Sequence, residues 1–91
     1  MYQVRKFTFD IADHFSIAMP QRARLLAVAL QNGQPCIWAL VNPESPQRMR
    51  QFRLVGSGIP IPYEECERHV GTIQTTGGAL VFHLFDLGEE P

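Results

Sequence analysis

Residues 23–31, ARLLAVALQ, decide the fold, because they read either as a helix or as a buried strand. Alanine and leucine favour a helix, Pro20 stands near its start, and Asn32 with Gly33 could cap its end. The same Asn32 and Gly33 also suit a tight hairpin turn. The next segment, residues 36–41 (CIWALV), is apolar at every position, so both of its faces are apolar, as in a central strand. Two strands joined by a two-residue turn are therefore the preferred reading, with the helix as its competitor.

Working outward, residues 14–19 (HFSIAM) alternate Phe15, Ile17 and Met19 against His14, Ser16 and Ala18 until Pro20, which predicts a half-buried strand. Residues 2–9 (YQVRKFTF) hold Val4 out of phase with Phe7 and Phe9, but their aromatic and threonine content favours a strand that ends at Asp10. Residues 43–48 carry two prolines and form a loop. Residues 49–55 (MRQFRLV) set Arg50, Phe52 and Leu54 on one face and Gln51 and Arg53 on the other, a strand with a wet outer face.

The stretch GSGIPIP at 56–62 cannot be regular structure, and PYEECERH after it has the charge order of one helical turn. Gly77 and Gly78 separate residues 72–75 from 79–85, a second hairpin signal. The expected architecture is all-β, or mainly β with one short helical turn: a small antiparallel barrel or sandwich of six to seven strands. Residues 1–87 make one domain and 88–91 a polar tail, with no internal repeat.

A chain of 91 residues, 45% apolar and 19% charged, has room for one core. It buries roughly 60 to 65% of its unfolded surface, so a partner or a homodimer interface would add useful cover. The apolar run at 25–30 is far too short to cross a bilayer, and a polar segment rather than a signal peptide's apolar region follows Met1, so a cytoplasmic protein is expected. The net charge of −1 argues against a dedicated nucleic-acid coat. It is unevenly spread: residues 20–55 hold five arginines and one glutamate, residues 56–91 one arginine and six acids.

The candidates for chemistry are few. Cys36 and Cys66, with His14, His69 or His83 as base, form the only conceivable nucleophilic set, but Cys36 lies in a core-like run and three glutamates surround Cys66. Cys66 and His69, with Glu65, could meet on a helical turn, yet two or three ligands at that spacing do not make a metal site. The glycines of GSG read as turn geometry, Asp10 and Asp13 as solvated loop acids, and Trp38 as core. No catalytic residue, metal or cofactor is assigned. Arg22, Arg24, Arg48, Arg50 and Arg53 remain as an anion- or partner-binding set, if neighbouring strands gather them.

The chain carries landmarks at Met19 and Pro20 and then, in the stretches QNGQPCIWALVNPESPQRMRQFRLVGSGIPIP and GTIQTTGGALVFHLF, at residues 31–33, Pro35 and Cys36, Trp38 and Ala39, Pro43, Phe52, 56–60, Gly71 and Thr72, and 77–85. Over residues 17–85 the chain resembles a family of short bacteriophage and prophage proteins of unknown function. The resemblance implies a genomic setting and a mainly β fold, and no mechanism. Its landmarks are mostly turn glycines, prolines and aromatics, which specify a scaffold.

The expected function is non-enzymatic binding by protein contact, with a host-directed anti-defence inhibitor as one such role. The alternative is a binder of a small anionic ligand or nucleotide through the arginines.

Overall fold

The computed structural model describes residues 1–91, the side chain of Thr76 excepted. Seven strands follow one another: β1 (Gln3–Thr8), β2 (His14–Pro20), β3 (Arg24–Gln31), β4 (Gln34–Val41), β5 (Gln47–Gly56), β6 (His69–Thr75) and β7 (Leu80–Glu89). A 3-10 turn at Tyr63–Glu65 interrupts the long connection between β5 and β6, where one helical turn was expected. β7 runs through Glu89, two residues into the segment read as a tail.

All pairings are antiparallel and build two sheets, β1-β4-β3 and β2-β5-β7-β6. The all-β reading holds, and residues 23–31 form a strand rather than a helix. Asn32 (φ 50°) and Gly33 (φ 81°) make the left-handed pair that a two-residue hairpin turn needs. Gly77 (φ 62°) and Gly78 (φ 90°) are left-handed as well, but within a longer connection, residues 76–79, that joins β6 to β7.

Alternation assigns the core. On β4, Ile37, Ala39 and Val41 are fully buried between the sheets, while Trp38 and Leu40 face outward and are half-buried. Met19, Phe52, Leu54, Ile73 and Leu84 answer them from the second sheet. The sheets adjoin where β3 runs beside β6. There the backbones come so close that a Cβ on Gly71 would lie 2.7 Å from Val28 Cγ1. Near the β1–β2 connection, Phe9 stacks on Phe15 (centroids 4.6 Å apart) and Phe15 on Phe52 (5.3 Å), tying the connection to β5.

Candidate functional site

The five arginines singled out from the sequence do not form one patch. Arg50 and Arg53 are three residues apart on β5, so the period-two strand sends them to opposite faces. Arg53 lies on the outer face, where its Nη1 donates to Glu65 Oε1 at 2.8 Å and lies 3.4 Å from His14 Nε2. Arg48 sits exposed near the start of β5, with Nη1 donating only to the neighbouring Gln47 carbonyl (3.2 Å). Arg22, Arg24 and Arg50 do meet, at one end of the sandwich, and the residue that joins them there is Arg68.

The floor of that end is an ion pair. Arg50 points inward with Phe52 and Leu54, and its Nε and Nη2 donate to the two oxygens of Asp86 at 3.0 and 2.7 Å. Its Nη1 donates to the Ala23 carbonyl at 3.0 Å, and both side chains are about nine-tenths buried. A bulge in the β5–β7 pairing, between Gln51 and Phe52 in register, coincides with Gly88 at φ 94°. Its N–H turns back to donate to Asp86 Oδ1 at 2.8 Å. Burial alone would raise the Asp86 carboxyl. The hydrogen bonds from Arg50 and Gly88, with the charges of Arg50 and Arg68, outweigh it and hold the group below its ordinary value of 3.8. Arg50 is moved the other way, its hydrogen bond to Asp86 prevailing over burial.

Two adjoining clefts, of about 340 and 470 Å³, open over this pair and share Ala23, Arg50 and Arg68. The smaller is bordered by Arg24, Leu25, His69 and Val70, the larger by Arg22 and Glu89. Arg22 takes a left-handed backbone (φ 62°), rare for a side chain of its size, and its N–H donates to Glu89 Oε2 at 2.6 Å. Glu89 Oε2 also lies 3.9 Å from Arg50 Nη1. Among the described residues the Arg22 and Arg24 guanidinium groups make no ion pair, and Arg68 makes only a 3.9 Å contact with Asp86.

The three histidines lie on the outer face of the four-stranded sheet, His69 and His83 as neighbours with ring centroids 6.3 Å apart and His14 on β2 at the opposite edge. Register places His14, Arg53, Phe85 and His69 in one row across β2, β5, β7 and β6, with Val55, His83 and Thr72 in the next. Both ring nitrogens of His83 are engaged, Nε2 by Ser57 Oγ at 2.8 Å and Nδ1 by Thr72 Oγ1 at 2.9 Å. His69 packs against Phe85 with centroids 5.3 Å apart. Neither thiol joins this cluster: Cys36 is buried with Sγ on the Gln34 carbonyl, and Cys66 Sγ donates to the Tyr63 carbonyl at 3.1 Å. Among the described residues no three metal-ligating side chains come together.

A third feature is the outer face of the three-stranded sheet. Val4, Leu40 and Arg24 form one row across it, Lys6, Trp38 and Ala27 the next. The irregularity between Leu25 and Ala27 leaves Leu26 without a partner on β4 and 45% exposed, while Val4, on the other edge strand, is 57% exposed. An antiparallel sheet with one wet face alternates apolar and polar residues; here β4 is apolar on both.

Arg68, Asp86, Ser57 and Thr72 were not singled out from the sequence. Asp86 had a signal: it continues the inward phase of Phe82 and Leu84, as Arg50 continues that of Phe52 and Leu54. An acid and a base at inward positions of two strands are a pair in waiting. Arg68 had none, because its place depends on the path of an irregular connection.

With this geometry in view, the chain was compared with known proteins. The family model described as "Domain of unknown function (DUF7352)" matches residues 1–91. The chain belongs to the DUF7352 family. Among curated proteins and among solved structures, no match was found. Membership in DUF7352 thus fixes kinship over the full 91 residues and assigns no activity. No helix in the described residues of this DUF7352 chain is long and apolar enough to cross a membrane.

Proposed function

We propose that this DUF7352 chain is a non-enzymatic binding protein that docks a partner protein on the outer face of β1-β4-β3. The observation that carries the proposal is the double-sided apolar character of β4. Its inward residues fill the core, while Trp38 and Leu40 continue as an apolar strip with Val4, Leu26 and Ala27. Water is a poor neighbour for such a face, and covering it is favourable at about 25 cal/mol per Å² of apolar surface. Lys6 and Arg24 lie among these residues, so the fitting partner is a folded protein with an apolar strip bordered by acids. A second copy of the chain would oppose basic residues with basic residues and is the weaker fit.

The imidazole cluster supports binding over catalysis. The His83 ring is oriented by Thr72 rather than by a carboxylate, so it lacks the charge that stabilises the imidazolium of a Ser-His catalytic pair. The phage or prophage setting suggested by the sequence landmarks makes a cytoplasmic host protein the natural candidate partner, with inhibition of a host defence system as the corresponding role.

The test is capture of a partner with the tagged chain, repeated with Leu26→Asp and with Gln51→Asp on the opposite sheet. One partner held by the wild type and by Gln51→Asp, and lost by Leu26→Asp, supports the proposal, and calorimetry on the purified pair then gives the affinity. Equal retention by both variants, or no specific partner at all, overturns it.

A further inference from the structure

The geometry points to the end of the sandwich, over the Arg50–Asp86 pair, as a binding site for the phosphate group of a small organic phosphate. This site shares only Arg24 with the docking face, and its test through Arg22 and Arg68 is independent of that face. Four guanidinium groups border the two joined clefts, Arg22, Arg24, Arg50 and Arg68, against two carboxylates, Asp86 and Glu89. The carboxylates are already engaged: Asp86 by both forks of Arg50 and by the Gly88 N–H, Glu89 Oε2 by the Arg22 N–H. The Arg22 N–H is a neutral donor and leaves Glu89 charged, so four guanidiniums against two carboxylates (4 − 2) leave an excess of two positive charges. That excess is carried by Arg22, Arg24 and Arg68, whose planar donor forks suit phosphate oxygens.

The two lobes divide the ligand. The larger, with Arg22 and Arg68 beside Glu89 and Gly88, is the more polar, whereas the smaller adds Leu25, Val70 and His69, a wall fit for an aromatic or apolar group. Arg68 borders both and would hold the phosphate at their junction. Backbone strain adds a separate observation. Arg22 keeps a left-handed conformation that glycine or asparagine would hold more easily, and strain of this kind tends to be retained where it positions something.

The experiment is calorimetric titration and thermal unfolding of the full chain with inorganic phosphate, and with adenosine monophosphate as the organic probe, at low and at raised salt. Saturable binding of the nucleotide, tighter than that of phosphate and weakened by salt, is expected. Arg68→Ala should weaken it by about tenfold or more, the loss of a charge-assisted hydrogen bond. Arg22→Gly should weaken it while leaving the unfolding temperature unchanged or higher, a combination that damage to the fold does not produce. Arg48→Ala removes the same charge outside the clefts and should leave binding as it was. Absence of saturable binding, equal weakening by Arg48→Ala, or phosphate binding as tightly as the nucleotide overturns the assignment.

Discussion

Arg50 bonds to Asp86 rather than to Glu89, its own register partner on β7. The bulge beside Gly88 sets the carboxylate of Asp86, the residue opposite Phe52, in line with both forks of the guanidinium. Removing one partner leaves a buried charge uncompensated, at a cost of about 3–5 kcal/mol. Asp86→Ala and Arg50→Ala are each expected to lose that much in urea denaturation. Replacing both by apolar residues of similar volume, Arg50→Met with Asp86→Leu, should recover most of the loss, since the pair's attraction does little more than offset its own desolvation.

The same pair sets the acid limb of stability. The carboxyl of Asp86 lies below its ordinary value of 3.8 in the folded chain, so the unfolded state binds its proton first as pH falls. The stabilisation is fully present above that ordinary value and is lost as pH falls through the lower, folded one. Arg50 is shifted upward by the same bond to Asp86, so it stays protonated throughout the acid range and Asp86 alone sets the acid loss. Denaturation midpoints measured from neutral pH into the acid range should drop for the wild type. The drop should be smaller in Asp86→Asn, a variant already weakened at neutral pH.

Gly71 faces Val28 where the two sheets adjoin, and a methyl group there would sit 2.7 Å from Val28 Cγ1. Gly71→Ala must push β3 and β6 apart or force Val28 from its rotamer, overpacking that typically costs about 1–3 kcal/mol. Val28→Ala loses buried methyls on its own account. Combined, the two should be less damaging than their sum, and a double-mutant cycle on chemical denaturation reads that coupling. Strict additivity would mean that the close approach is not what limits residue 71.

The ambiguity of residues 23–31 has a physical origin in β3. The irregularity between Leu25 and Ala27 inserts Leu26, so the residues that pack toward the core fall at Leu25, Val28 and Leu30. The step of three from Leu25 to Val28 is a helical spacing inside a strand, and since Asn32 and Gly33 suit either a cap or a hairpin, the two-sided apolar run of β4 is what tips the reading. The strand phases of β2, β4 and β5 were legible because the extra residues of the irregular pairings fall on their neighbours, Leu26 on β3 and Leu87 on β7, which leaves Phe15, Ile17, Met19 and Ile37, Ala39, Val41 and Arg50, Phe52, Leu54 in strict alternation. Candidate sites were legible only in part. Phase alone separates Arg50 from Arg53, but Arg68 reaches the clefts through an irregular connection that no local period describes, and Ser57 meets His83 through a turn.

That turn supplies the last prediction. Ser57 stands between Gly56 and Gly58, the latter at φ 85°, and its N–H donates to the Val81 carbonyl at 3.1 Å while Oγ meets His83. His83 is fixed from its other side by Thr72 on β6, so the imidazole bridges the 56–58 turn to the far edge of the sheet. Each hydroxyl bond is partly exposed and should contribute about 0.5–1.5 kcal/mol. Ser57→Ala should therefore cost little in global stability yet speed hydrogen exchange at Ser57 and Ile59, whose N–H groups are bonded within this region. Thr72→Val should loosen the same amides through His83, although residue 72 lies on another strand. Loosening by Ser57→Ala but not by Thr72→Val would show that the turn is held by Ser57 alone and that the bridge through the imidazole carries no stabilisation.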